Sequence, residues 1–378
     1  MKKRVLPVIL AFCLMASLAA CSDGKETPCA KDLSTERETK FGGAYLCMTI
    51  EDFCGLGFAY GDSVDISFSN GYQMEDVPFY NGYYTRAGEP LLCAYPGYPY
   101  VKACINSGED LYELAALTDG CTASVTLHEC GKYLSVQNAM NMVYTNERGD
   151  YGSDEVFANF RAMCGGELEE GLFFRAASPC DDQYDRAAYS GRLCEKAGIG
   201  FILDLADSEE ELAGYFGDDE LDSPYWKSLY ASGGVLPLNM TANYRSEAYA
   251  QSAADAMRAV LREEGPYLIH CTEGKDRTGF VCLLIEALSG ASVEELESDY
   301  MKTYENYYGI TKASSPESYE AIKTIKFDDM VSYLTGTGDI GAVKSEELVA
   351  GAEEYLSFGG MGREEIALLR EEISTHRG

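Results

Sequence analysis

The chain has 378 residues, 62 of them acidic and 30 basic, for a formal net charge of −32 at pH 7. That charge disfavours nucleic acid and anionic membrane surfaces as direct partners, and the length fits two domains better than one. The only histidines are His128, His270 and His376. None has metal-ligand spacing, so a metal-free mechanism with no cofactor is expected.

The chain opens MKKRVLPVILAFCLMASLAAC: a basic start, an apolar run too short to span a membrane as a stable helix, and small residues before a cysteine. Leu18-Ala19-Ala20-Cys21 resembles a bacterial lipobox. The resemblance implies a signal peptide over 1–20, lipidation of Cys21, and a mature protein outside the cytoplasmic membrane, partnered to that membrane through a lipid anchor. Residues 21–40 are polar and read as a linker. Setting aside Cys13, Cys21 and Cys271 leaves 11 of the 14 cysteines, an odd number with no Cys-x-x-Cys among them. A disulfide framework therefore covers part of the chain at most.

Over 41–150 short alternating stretches such as SVDISFS and ASVTLHE are broken by NG, PG and SG turns, which predicts a small barrel or sandwich of unknown role. GDSVDISFSNGY, PFYNGYY and AYPGYPYVKACINSG resemble the β domain of S-adenosylmethionine-hydrolysing adenosyltransferases, and no function is carried over. Tyr80, Tyr83, Tyr84, Tyr95, Tyr98 and Tyr100 either line a ligand or glycan surface or pack on one another.

From 151 to 378 the period changes. Helices are expected over 181–197, 246–264, 293–308, 316–334, 345–358 and 363–376, with strands over 199–205, 235–238 and 267–271. Alternating strands and helices followed by helices alone suit an α/β fold: a parallel-centred sheet flanked by helices, with a helical C-terminal part. No pattern sets an oligomeric state.

PYLIHCTEGKDRTGF, residues 266–280, joins a buried-strand pattern to a buried-helix pattern through a short polar loop. N–H groups of residues 272–277 (Thr272, Glu273, Gly274, Lys275, Asp276, Arg277) can converge on one anion, at the positive end of the helix that follows. That field, with His270 and Arg277 adjacent, favours the attacking thiolate of Cys271. Arg277 can hold two oxygens of a tetrahedral oxyanion, Thr278 can hydrogen-bond a leaving thiolate, and Gly274 and Gly279 permit close backbone approach. Cys180 and Arg186 have the same spacing without the glycine and with three aspartates between them, and read as an accidental match.

HCTEGKDRTG resembles the signature loop of the bacterial cysteine-dependent protein tyrosine phosphatases. NFRAMCGG, GLFFRAASP, GIGFILDLA and ELESDYMKTYENYYG are similar to other segments of that family over 151–378, although Ala206 stands where the family usually has arginine. The resemblance implies a phosphatase domain in which Cys271 attacks a phosphorylated protein or phosphoinositide. Asp276 is then either the proton donor or a cap for the helix after the loop, with Asp218, Asp219 and Asp222 as further candidates. Lys275 adds general positive potential or contacts a second phosphate, and His270 braces the loop. Three readings stay open: a tyrosine or dual-specificity phosphatase, a phosphoinositide or inositol phosphate phosphatase, and a surface binding protein with an inert loop.

Overall fold

The computed structural model describes residues 27–40 and 42–374. The chain separates into two compact units between Asn141 and Met142. The expected cleavage site, Cys21 and His376 lie outside the described residues, and no helix within them is long and apolar enough to cross a membrane.

The first unit is a closed seven-stranded barrel with strand order β1-β2-β6-β5-β4-β3-β7. The strands are β1 (Cys29–Arg37), β2 (Ala44–Leu46), β3 (Ser63–Phe68), β4 (Gln73–Tyr80), β5 (Pro90–Cys93), β6 (Val101–Ile105) and β7 (Thr122–Glu129). Short helices α1 (Ile50–Gly55) and α2 (Leu111–Leu114) interrupt them, and α3 (Leu134–Met140) follows β7. Alternation puts Val64, Ile66, Phe79, Leu92, Val101 and Val125 into one core.

Strand β1 corrects the linker assigned to 21–40. Its sequence CAKDLSTER is polar because only Ala30, Leu33 and Thr35 turn inward, with a bulge between Ala30 and Leu33. A strand half exposed on a barrel wall carries the composition of a linker, and its pairing with β7 and β2 comes from distant residues. The unit also ends earlier than the expected boundary at 150. The barrel tyrosines pack on one another: Tyr83 with Tyr95, Tyr95 with Tyr98, Tyr80 with Tyr84, and Tyr45 with Tyr98 and Tyr100. The fully buried Lys102 ammonium lies between the rings of Tyr83 and Tyr98, 3.1 Å from Glu38.

The second unit holds a five-stranded sheet of order β11-β10-β12-β9-β8. Its elements in chain order are α4 (Asp154–Phe157), β8 (Arg161–Ala162), β9 (Phe173–Ala176), α5 (Ala187–Ala197), β10 (Phe201–Asp204), α6 (Glu209–Phe216), α7 (Pro224–Ala231), β11 (Val235–Pro237), α8 (Glu247–Val260) and β12 (Tyr267–His270). Helices follow alone: α9 (Asp276–Leu288), α10 (Val293–Tyr308), α11 (Pro316–Ile322), α12 (Asp328–Thr335), α13 (Ser345–Phe358) and α14 (Arg363–Ile373). Strands β11, β10, β12 and β9 are parallel, and only the edge strand β8 runs against them. This is the expected α/β architecture, and β12 is its centre.

Helices α5, α6 and α7 bury Leu193, Leu212 and Trp226 against Ile202 and Leu268 of the sheet. Helix α9 is enclosed from Thr278 to Leu288, with α13 and α10 packed against it. The helix expected from 181 begins only at Ala187, because Arg186 just before it turns inward and bonds the carbonyl oxygens of Phe157, Tyr184 and Thr145. The one expected over 316–334 is broken by a π-helical turn at Lys323–Phe327.

Candidate active site

The loop from Cys271 to Lys275 leaves the carboxyl end of β12, where ligands bind in parallel sheets, and runs into the N-terminus of α9. Three of its main-chain oxygens are held by groups outside the loop. The Thr272 carbonyl accepts from the Ser178 N–H at 3.1 Å, that of Glu273 from the Tyr307 hydroxyl at 2.7 Å, and that of Gly274 from Arg175 Nη2 at 3.0 Å and Asn159 Nδ2 at 3.2 Å. Because the two polar groups of a trans peptide point in opposite directions, tethering the carbonyls outward aims the N–H groups inward. The 13-residue α9 adds its positive end.

Gly274 is required twice over. Its φ is +66°, and a Cβ there would lie 2.1 Å from the Ala176 oxygen. Gly274→Ala is therefore expected to cost about 1–3 kcal/mol in strain and to displace the loop. A displacement of about 1 Å lowers turnover roughly 10²-fold, so phosphate-ester turnover and the thermal midpoint should both fall.

The outward tethers have their own support. Asp299 of α10 pairs with Arg161 at 2.8 Å and with Arg175 at 2.5 Å, and all three side chains are largely buried. Burial would raise the Asp299 carboxyl, but the two guanidinium charges outweigh it and hold it well below the usual range. Asn159 completes the group through Thr303 and Asn306 of the same helix. Arg161 and Arg175 belong to NFRAMCGG and GLFFRAASP, whose likeness to the family was legible but whose roles were not. The pairing partner Asp299 lies more than a hundred residues away.

Cys271 is buried at 4% exposure. The Arg277 guanidinium lies under the loop, with Nη2 donating to Thr272 Oγ1 at 3.2 Å and Nη1 to the carbonyl oxygens of Met240 at 3.2 Å and Ala206 at 3.5 Å. Thus Ala206, although not arginine, reaches the site through its backbone. Thr278 Oγ1 is buried and makes no hydrogen bond. Asp276 opens α9 with its side chain 58% exposed, 4.0 Å from Lys275 Nζ, and no side-chain cap bond forms at that helix start. Lys275 Nζ lies 3.1 Å from Glu273, whose other oxygen accepts from the Tyr144 hydroxyl. Burial would lower the Lys275 ammonium, but the Glu273 carboxylate more than reverses this.

Behind the loop, His270 is fully buried and its Nδ1 lies 3.4 Å from the Cys271 carbonyl oxygen. Burial pushes its imidazole down to about 4, so the ring is neutral at pH 7. Cys180, Asp204 and His270 come together with their donor atoms within 4.8 Å of one another. Cys180 and Arg186 thus serve two separate buried groups rather than a second loop. Of the aspartates considered for proton donation, Asp218, Asp219 and Asp222 are exposed, and Asp222 pairs loosely with Arg192 at 3.5 Å.

Residues 156–375 match the tyrosine phosphatase family. The chain belongs to that family. Membership makes it a phosphatase. A tyrosine-protein phosphatase of Nostoc commune is 26% identical over 222 residues, spanning 52% of this chain and 76% of that protein. Among solved structures, the core catalytic domain of the PP-IP phosphatase SIW14 from S. cerevisiae in complex with citrate is 19% identical with a TM-score of 0.27, over 49% of this chain and 96% of that one. A second structure of the Siw14 catalytic core is 17% identical with a TM-score of 0.29, over 53% and 94%. The family match begins inside α4 and takes in the sheet, the loop and the C-terminal helices.

Proposed function

We propose that the chain is a cysteine-dependent phosphatase of phosphotyrosine, with phosphoserine and phosphothreonine as further substrates, working through a phosphocysteine at Cys271. The observation that carries this reading is the tethering of the Thr272, Glu273 and Gly274 carbonyls from outside the loop, which by peptide geometry turns N–H groups toward its interior, with Arg277 bonded to Thr272 of the same loop. The thiolate attacks phosphorus, an S–P bond forms, and the ester P–O bond breaks as Asp276 gives its proton to the leaving oxygen. Water then attacks phosphorus, Asp276 takes its proton, and the S–P bond breaks to release phosphate. Thr278, whose hydroxyl makes no other bond, stabilises the departing thiolate. His270 holds the main chain of Cys271 and moves no proton.

Lys275 is matched by Glu273, which favours a singly charged group beside the scissile phosphate over a crowded polyphosphate. The phosphoinositide or inositol phosphate reading rests on Lys326, which is near enough to Lys275 and Asp276 to interact electrostatically with both. Phosphate release from phosphotyrosine, phosphoserine and phosphothreonine peptides, short-chain phosphoinositides and inositol hexakisphosphate separates the two. Preference for peptides supports the first reading and preference for inositides the second, while silence across the panel under reducing conditions favours the binding-protein reading.

Asp276→Ala is expected to slow alkyl phosphate esters by about 10²–10⁴-fold and to slow an activated aryl phosphate far less. Equal losses on both would remove Asp276 as the acid. We further propose that the mature protein is held outside the cytoplasmic membrane by lipid on Cys21, on the pattern of residues 1–21. Cys21→Ala should then shift the protein from the detergent phase to the aqueous phase on phase partition, and an unchanged distribution would count against the anchor.

A further inference from the structure

The carboxyl ends of three neighbouring strands deliver three metal-ligating side chains to one point beneath the phosphate loop. Cys180 follows β9, Asp204 closes β10, His270 closes β12, and all three are completely buried. Cys180 Sγ and His270 Nε2 lie 3.8 Å and 3.6 Å from the same oxygen, Asp204 Oδ2. Nothing in the proposed phosphoryl transfer uses Cys180 or Asp204.

The tautomer of His270 makes this arrangement unusual. Nδ1 faces the Cys271 carbonyl, which can only accept, so Nδ1 carries the proton. Nε2, on the other side of the ring, faces the Asp204 carboxylate. Nε2 makes no hydrogen bond, and 3.6 Å is too long for one. A buried imidazole nitrogen with no hydrogen bond, beside a carboxylate oxygen that a buried thiol also approaches, is a set of ligand atoms that one cation can share.

We infer that Cys180, Asp204 and His270 form a site for a divalent transition cation, Zn²⁺ by the chemistry of its donors. Ligand bonds of about 2.3 Å to sulfur and 2.0–2.2 Å to nitrogen and oxygen set tetrahedral donor separations of roughly 3.3–3.7 Å. The observed 3.6 and 3.8 Å need only a slight contraction. On binding, the Cys180 thiol loses its proton to solvent. Thiolate and Asp204 carboxylate then neutralise the two charges of the ion, and the neutral imidazole completes the set. The surroundings suit this role: Asp204 Oδ1 is fixed by the N–H groups of Ala206 and Asp207, and the Nδ1–H of His270 by the Cys271 carbonyl. A bound ion would tie three strand ends together and pass that rigidity through His270 to the backbone of Cys271. It takes no part in phosphoryl transfer.

The test uses the full-length chain, purified in mild detergent under reducing conditions, stripped with a chelator and titrated with Co²⁺ followed by Zn²⁺. Expected are a single equivalent of tetrahedral Co²⁺ absorption with a thiolate charge-transfer band, its displacement by Zn²⁺, and a rise in thermal midpoint on loading. Cys271→Ser should retain the band. Cys180→Ser should lose it, and Asp204→Asn should weaken binding by more than the about 10–100-fold typical of losing an outer partner. Retention of the band in Cys180→Ser, or its loss in Cys271→Ser, overturns the site. Should Cys180→Ser fail to fold, X-ray absorption of the Zn²⁺-loaded wild type decides: one sulfur with nitrogen and oxygen neighbours is expected, and none or several sulfurs overturns it.

Discussion

Replacing Cys271 by serine is expected to abolish turnover while leaving oxyanion binding in place. The hydroxyl is smaller than the thiol and a far weaker acid and nucleophile, so the attack that forms the S–P bond has no counterpart. A covalent hydrolase that loses its nucleophile slows by about 10⁶-fold, and a loss on that scale is expected here on every ester of the panel. Tungstate should still bind within a few-fold of wild type, because Ser178, Tyr307, Arg175 and Asn159 hold the loop carbonyls outward without help from the thiol. Stopped turnover with intact tungstate binding assigns Cys271 to the chemistry. Substantial residual activity in the serine variant would remove the phosphocysteine from the mechanism.

Arg277→Lys should show the complementary pattern, losing both turnover and tungstate affinity. The guanidinium presents a planar fork that matches two phosphoryl oxygens, whereas an ammonium acts as a point charge. Removing one donor aimed at developing charge lowers turnover by about 10²–10³-fold, and the arginine offers two. The fork is already oriented by Thr272 Oγ1 and the carbonyl oxygens of Met240 and Ala206, contacts that a shorter, single-headed lysine cannot make together. Thermal stability is expected to change little, since the guanidinium is only partly buried. A lysine variant with wild-type tungstate affinity would place the oxyanion away from Arg277.

Much of the site was legible because its signal is local. Tyr267, Leu268 and Ile269 form a strand, Gly274 occupies a loop position with positive φ and no room for a Cβ, and the apolar run through Leu288 is a helix buried all round. The helices Val293–Tyr308 and Ser345–Phe358 begin and end where their periodicity changes. In the first of these, the Ser292–Glu295 capping box and the left-handed Gly309 act within a turn of the helix ends.

By itself, then, the sequence determined the strand-loop-helix around Cys271, the parallel α/β arrangement and the chemistry that nucleophile and arginine can share, because each depends on residues within a few positions of one another. Tertiary structure alone decided the rest. Strand β1 is too polar to announce itself and becomes a strand only by pairing with β7 and β2. Arg161 and Arg175 acquire their meaning from Asp299, far along the chain, and Cys180, read as an accident of spacing, meets Asp204 and His270 only where β9, β10 and β12 end side by side. Such contacts are fixed by strand order and register, and no short stretch of residues carries that information.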